Sequence, residues 1–138
     1  MALFTKQHDN EDFIALGMYL MIASDADIDE REEEGIKVIL KSLPRFSGID
    51  IDDVLFDVKS FILDGGFKNS FEKFKTIENE DLKKTILILS IEASMLDHFI
   101  TDAEEDVIVE LSHTMGLDDE VLERAIDVIS WKYSLEDH

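Results

Sequence analysis

The stretch ASDADIDEREEE, from Ala23 to Glu34, decides the predicted fold of this chain. It follows an apolar run, carries aspartates at alternate positions and leads into an acidic helix start. A weaker copy, MLDHFITDAEED, runs from Met95 to Asp106. Two such segments, each placed between an apolar run and a charged one, predict a helical fold with a carboxylate-rich candidate site.

Length and composition indicate one acidic domain. The 138 residues are 45% hydrophobic, which is enough to bury a core in a single domain. The net charge of −20 disfavours binding to nucleic acid or to anionic lipid surfaces. No apolar run reaches the roughly 18 to 20 residues of a membrane span, and the N-terminus has no signal-peptide pattern. Because the chain has no cysteine, we expect a reducing compartment and a cytoplasmic location.

Apolar residues recur at helical spacing along most of the chain, which only one proline and six glycines interrupt. We therefore predict an all-α, single-domain helical bundle of about six to seven helices over residues 1–138. The first predicted helix, at about 10–24, is apolar on most sides and should lie inside the bundle. The fourth has one apolar stripe, and its run from Thr85 to Leu89 is also compatible with a buried strand, although its length and flanks favour a helix. Packing of the two repeat halves face to face should place these two helices side by side. The six longer helices are predicted to start near Asn10, Asp29, Asp50, Asn79, Thr101 and Asp118.

Helix ends are also marked in the sequence. Pro44 should stop the second helix, Gly65-Gly66 the third and Gly116 the fifth. The segment after Gly66 carries three phenylalanines at helical spacing and the one basic cluster of the chain, and it predicts a short helix or turn. These residues are Phe67, Phe71 and Phe74, with Lys68, Lys73 and Lys75.

The two acidic segments belong to a longer internal repeat with an offset of 72 residues. Each half, at approximately 10–66 and 79–133, consists of a buried helix, an acidic loop, a capped helix, a short turn and a further helix. The repeat predicts one supersecondary unit used twice, with two incomplete cores packed face to face. Its matched pairs include Asp25 with Asp97, Ile28 with Ile100, Asp29 with Thr101, and Glu32 with Glu104.

The aspartates of the first segment resemble the start of a calcium-binding EF-hand loop. The remainder of that loop does not fit, because Glu30 stands where the motif needs glycine and Ile36 where it needs a bidentate glutamate. The pairs Asp29–Glu32 and Thr101–Glu104 have instead the spacing of a helix capping box. Helix capping is therefore the structural explanation for these four residues.

Asp25 and Asp97 have a weaker structural explanation. Each follows an apolar helix, whose negative dipole end disfavours a carboxylate, although either could form a local Asx-turn. Oxygen ligands of this kind suit Ca²⁺, Mg²⁺ or Mn²⁺, and His98 is a weak additional ligand. The candidate metal ligands are Asp25, Asp27, Asp29, Glu32, Asp97 and Glu104.

No nucleophile elbow, glycine-rich phosphate loop or HExxH pattern occurs in the sequence, so we predict a non-enzymatic protein. His113 is predicted to lie at the surface. Trp131 and Tyr133 are interpreted as core or dimer contacts rather than as a ligand-stacking pair.

The two acidic segments and the helices before them resemble the TerB-like tellurite-resistance family, whose domain also occurs at the N-terminus of DjlA-type co-chaperones. The resemblance lies in the pattern A-S-D-x-x-I-D/S-x-x-E after an apolar helix, which starts here at Ala23. The pattern recurs in the second half as Asp97, Ile100, Thr101 and Glu104. Ala26 and His98 stand where the family usually has glycine.

The resemblance implies an all-α fold with pseudo-twofold halves and acidic clusters that bind a divalent metal. It also implies a role in cytoplasmic stress-response assemblies, including tellurite resistance, with a protein partner that can be a membrane complex of the TerC type. The leading hypothesis is thus a cation-binding interaction domain. The alternatives are an interaction module without a metal site, with a homodimer left open, and a hydrolase with a carboxylate-bound metal.

Overall fold

The computed structural model describes residues 3–4, 8–23, 30–96 and 100–134 of the chain. In these ranges it contains seven α-helices, two short 3-10 helices and no strand, which confirms the all-α prediction. The α-helices are α1 (Asp9–Ala23), α2 (Glu30–Ser42), α3 (Ile51–Gly65), α4 (Phe67–Ser70), α5 (Glu80–Ser94), α6 (Asp102–Thr114) and α7 (Asp119–Ser134). The 3-10 helices are Pro44–Phe46 and Phe71–Thr76.

Helix α1 forms the centre of the bundle. Its residues from Asp12 to Ile22 are all buried, because apolar side chains occupy most sides of the helix. It contacts α2, α3, α5 and α6, and its contact with α5 is the most extensive in the fold. The prediction that the two apolar helices lie side by side is therefore confirmed.

Helices α1 and α5 run in the same direction. Residues Asp9 and Phe13, in the first turns of α1, share a surface depression with Asn79 and Leu82 at the start of α5. Further along, a Cβ atom on Gly17 would lie only 2.7 Å from the Ser90 Oγ, so the two backbones approach closely there. The C-terminal ends of both helices consequently lie at the same end of the bundle.

Helix α2 starts at that same end. A Cβ atom on Gly35 would lie 2.8 Å from Leu96 Cδ1, just beyond the end of α5. The side chain of Lys37 then reaches Asp52 on α3, with 3.0 Å between Nζ and Oδ1. Glycine at position 35 thus permits a close approach of α2 to the chain that leaves α5.

The predicted helix starts have the expected capping hydrogen bonds where they fall in the described residues. Asp50 accepts a hydrogen bond from the Asp53 N–H at 3.2 Å, and Asn79 accepts one from the Leu82 N–H at 3.0 Å. Each bond satisfies a backbone donor that the helix itself leaves unpaired, and such caps are worth about 1 kcal/mol. The predicted cap at Asp29 lies outside the described residues.

The predicted helix ends are confirmed as well. Pro44 opens a 3-10 turn directly after α2, and Gly66 follows α3 with a φ of +90°. After α6, Gly116 has a φ of +74°; its N–H donates to the His113 carbonyl, and the Leu117 N–H donates to the Ser112 carbonyl. This pair of bonds is a Schellman motif, which requires the left-handed conformation that glycine adopts without strain.

The two halves of the chain have matching helix lengths. Helices α1 and α5 each have 15 residues, and α2 and α6 each have 13. In each half the central helix contacts the two long helices that follow it, α2 and α3 or α6 and α7. A duplication with twofold symmetry remains a prediction, since matching lengths and neighbours do not establish it.

The interpretation of the C-terminal aromatic residues as core or dimer contacts is confirmed for Tyr133, and for Trp131 a dimer contact remains a prediction. Trp131 is 64% exposed, so it is not a core residue, whereas Tyr133 is partly buried against the core. Helical spacing places Trp131 on the same side of α7 as Val128, which is also exposed. Among the described helices, none is long and apolar enough to cross a membrane.

Replacement of Gly17 by leucine should destabilise the protein strongly. The new side chain has no room between α1 and α5, and overpacking of this kind costs about 1–3 kcal/mol. Gly65→Ala is the matched control: it lies at the end of α3 with open space around its Cβ position, and the change should be neutral or stabilising by up to about 1 kcal/mol. Urea denaturation measures both free energies of unfolding, and equal effects would contradict the close helix approach.

Candidate functional site

The predicted metal ligands divide between described and undescribed parts of the chain. Glu32 lies in the first turn of α2 and Glu104 in the first turn of α6. The other four ligands, and the additional candidate His98, lie outside the described residues; the four are Asp25, Asp27, Asp29 and Asp97.

Glu104 forms half of a complete capping box. Its Oε1 accepts a hydrogen bond from the Thr101 N–H at 2.9 Å, and its own N–H donates to the Thr101 Oγ1 at 3.1 Å. The residue is only 1% exposed, so burial and capping occur together. The prediction of helix capping is confirmed for this pair, and at least one carboxylate oxygen of Glu104 is committed to the start of α6.

Glu32 has a more open position than Glu104. It is partly buried and lies between Glu30 and Glu33 in sequence, all within the acidic first turn of α2. The N-terminus of a helix carries a partial positive charge, so carboxylates in the first turn stabilise it. Helix stabilisation therefore accounts for the acidic residues at both helix starts.

The helix ends that flank the two acidic segments lie at one end of the bundle, since α1 and α5 are parallel there. Neither helix has a basic residue in its last turn. Within the described ranges, no group of three or more His, Asp or Glu side chains is close enough to hold a metal ion. Any cation site at this end would need residues from 24–29 or 97–99.

Tyr19 lies one helical turn before the end of α1. Its side chain is 1% exposed, and its hydroxyl has no hydrogen-bond partner among the described residues. Burial, and to a smaller extent the nearby negative charge of Glu33, raises the pKa of Tyr19 to about 12. The phenol therefore stays neutral at physiological pH.

The sequence analysis missed a polar cluster that links α5 to α7. Glu92 is 8% exposed; its Oε2 accepts a hydrogen bond from the Tyr133 hydroxyl at 2.7 Å and contacts the Lys132 ammonium group. A glutamate within the apolar sequence of α5 was the available signal, because a buried carboxylate needs partners. Its partners lie about 40 positions away, beyond the reach of helical periodicity.

A second buried carboxylate holds the N-terminal segment on α1. Asp12 is 1% exposed and accepts hydrogen bonds from the Phe4 N–H at 3.0 Å and, in the appropriate tautomer, from His8 Nδ1 at 2.9 Å. Burial raises the pKa of Asp12, while the Phe4 bond and His8 oppose that effect. His113 lies at the surface as predicted, 3.3 Å from Asp119.

Two lysines of the predicted basic cluster form contacts within the protein. Lys75 pairs with Glu72 at 2.9 Å, and Lys73 lies 4.8 Å from the centre of the Phe4 ring. A groove of about 410 Å³ between α4 and α6 includes Lys68 and Lys75, but also Asp106 and Glu110. This mixture of charges does not define a site for an anion.

A second groove, of about 250 Å³, lies between α5 and α7, and we refer to it as the α5–α7 groove. Its lining is apolar apart from one lysine and one arginine. The lining residues are Lys84, Leu87, Ile88, Val121, Arg124, Ala125 and Val128. Sequence periodicity identified the apolar positions of both helices but not the groove between them.

Comparison of the chain with protein-family models, with curated proteins and with solved structures gave no match. The TerB-like assignment therefore rests on the sequence resemblance alone.

The two tyrosines should respond differently to loss of the hydroxyl. Tyr133→Phe removes the bond to Glu92 and should lower the free energy of unfolding by about 1 kcal/mol. Tyr19→Phe removes a buried hydroxyl without a described partner, so stability should be unchanged or higher. Thermal and urea unfolding compare the variants; a marked loss for Tyr19→Phe would show that its hydroxyl is bonded.

The pKa values of Asp12 and Asp52 should be shifted in opposite directions from that of an ordinary aspartate. Burial raises the pKa of Asp12, whereas the Lys37 ammonium group lowers the pKa of Asp52. A side-chain carboxyl NMR titration should give the higher midpoint for Asp12, and Lys37→Met should raise the midpoint of Asp52.

The raised pKa of Asp12 also makes the free energy of unfolding depend on pH. Because the pKa of Asp12 is raised in the folded state, folded protein takes up the proton first as the pH falls. The contribution of Asp12 to stability should therefore increase from its raised folded pKa down to the unfolded value near 3.8. In the NMR titration, a midpoint for Asp12 at or below that of Asp52 would contradict the opposite pKa shifts of the two residues.

Proposed function

We propose that this protein is a non-enzymatic TerB-like domain that binds a divalent cation at its two acidic segments and docks a protein partner. The family resemblance further suggests a cytoplasmic stress-response role of the tellurite-resistance type, with a membrane complex of the TerC type as a partner. The repeat halves 10–66 and 79–133 would each supply one acidic segment.

The parallel arrangement of α1 and α5 is the main observation in support of a shared cation site. Asp25 follows the last residue of α1 by two positions, and Asp97 follows the last residue of α5 by three. Adjacent Cα atoms are about 3.8 Å apart, so each aspartate stays within a few residues' reach of its helix end. Because those ends lie at one end of the bundle, a shared site would need no rearrangement of the helices.

The helix dipoles favour a cation at the same place. The C-terminal end of each helix carries a partial negative charge, which a nearby cation stabilises. Neither α1 nor α5 provides a basic residue in its last turn. A bound divalent ion would supply that positive charge to both helix ends and would reduce the self-repulsion of a chain with a net charge of −20.

Carboxylate oxygens at this position would select hard cations. Ca²⁺, Mg²⁺ and Mn²⁺ accept oxygen ligands at about 2.0–2.6 Å, and Asp27, Asp29 and Glu32 would add to the paired aspartates. Glu104 contributes less readily, since its Oε1 already accepts the Thr101 N–H.

The complete capping box at α6 favours a second candidate function, an interaction module without a metal site. In that case the acidic residues serve as helix caps and as a solvated surface. Asp25→Asn would then change stability by about 1 kcal/mol or less, with no dependence on metal.

Calorimetric titration of the wild-type protein with Ca²⁺, Mg²⁺ and Mn²⁺ separates the two functions. We expect saturable binding of at least one of these ions, and its loss in the double variant Asp25→Asn plus Asp97→Asn, because two anionic ligands are removed at once.

The matched control is Asp64→Asn plus Asp127→Asn, which removes the same two negative charges at exposed positions on α3 and α7. This control should bind the cation as wild type does. Absence of binding by wild type, or equal loss in both double variants, would refute a specific site.

A further inference from the structure

The α5–α7 groove collects much of the exposed apolar surface of the protein. Ile88 and Val128 line it with 38% and 54% of their surfaces exposed, and Trp131 follows Val128 one turn later with 64% exposed. These three are half of the large apolar residues that are exposed in the described ranges. Single exposed apolar residues are ordinary, whereas an exposed apolar patch around a concavity is typical of a binding surface.

The spacing of the residues that line the groove suits a helix. On α7 the apolar lining residues Val121, Ala125 and Val128 follow one another at helical spacing, and α5 forms the opposite wall with Leu87 and Ile88. An amphipathic helix can place its apolar side chains between two such walls at spacings of three and four residues.

The charges at the groove identify the chemistry of its occupant. Lys84 and Arg124, its two charged lining residues, are both cations, although the chain has 33 acidic residues and 13 Lys plus Arg. Arg124 contacts Glu120 at 2.7 Å, but both side chains are more than 70% exposed, and such surface pairs contribute little. An incoming carboxylate could therefore replace Glu120 at small cost.

A second copy of the chain fits this groove poorly. A symmetric dimer through this surface would bring together two chains that each carry a net charge of −20, and their mutual repulsion opposes association. We propose that the α5–α7 groove binds an amphipathic helix of a partner protein whose apolar side chains are flanked by acidic residues. This inference rests on the interaction part of the proposed function and not on its cation site.

The single tryptophan of the chain provides the measurement. Trp131 lies next to the groove, and its emission should shift to shorter wavelength when a bound helix excludes water. The probe is a synthetic helical peptide with leucines at positions i, i+3, i+4 and i+7 and glutamates beside them. Its counterpart has lysine in place of every glutamate.

We expect a saturable blue shift with the acidic peptide, weakened by salt, and at least about tenfold weaker binding of the basic peptide. Val128→Glu should weaken binding of the acidic peptide at least about tenfold, because it places a carboxylate in the apolar groove. Arg124→Glu should weaken it by reversing a charge. Val38→Glu, at an exposed apolar position on α2, is the matched control and should bind as wild type does.

Several outcomes would overturn the proposal. These are absence of a shift with the acidic peptide, equal binding of both peptides, and unchanged binding by Val128→Glu with native circular dichroism. A blue shift that grows with protein concentration alone, together with a doubled mass in sedimentation, would assign the groove to a second copy instead.

The groove proposal and the cation-site proposal can be tested independently of each other. Val128→Glu should retain any calorimetric cation binding of the wild type, whereas Asp25→Asn plus Asp97→Asn should retain peptide binding. Loss of peptide binding in that aspartate variant, with its fold intact, would contradict the independence of the two sites.

Discussion

The close approach of α1 and α5 at Gly17 is the contact on which the rest of the bundle depends. Helix α1 is buried on all sides from Asp12 to Ile22, so it is stable only where other helices surround it. Its longest contact is with α5, and a side chain at position 17 would separate the two backbones. The remaining helices cover the sides of this pair and provide its charged surface.

The parallel direction of this pair determines what can meet at one end of the bundle. Both helices leave their negative dipole ends there, and α2 starts beside the end of α5 because Gly35 allows it. The last residues of α1 and α5, Ala23 and Ser94, therefore lie at the same end of the bundle although they are far apart in the sequence. Their relation comes from packing and not from proximity along the chain.

Local chemistry made much of the fold predictable from sequence. The caps at Asp50, Asn79 and Thr101 and the turn at Gly116 depend on neighbouring residues alone, so their patterns were sufficient. Periodicity also identified α1 as an interior helix. It did not identify the bond between Glu92 and Tyr133 or the α5–α7 groove, because spacing shows which residues share a face but not which helix covers it. For that reason it did not decide between a core contact and a dimer contact for Trp131, which is exposed. The candidate ligands Asp25 and Asp97 lie outside the described residues.

The acidic residues fall into two groups by their position relative to the helices. Each helix longer than one turn has acidic residues in its first turn, where the helix dipole stabilises them, so these need no ligand to explain them. Asp25 and Asp97 instead follow the C-terminal ends of α1 and α5 in the sequence, and a helix dipole disfavours a carboxylate near that end. A cation would reverse that penalty, since it would be attracted both to the carboxylates and to the two helix ends. The first group of acids is thus explained by helix stability, whereas the second group is the one that the proposed cation site would explain.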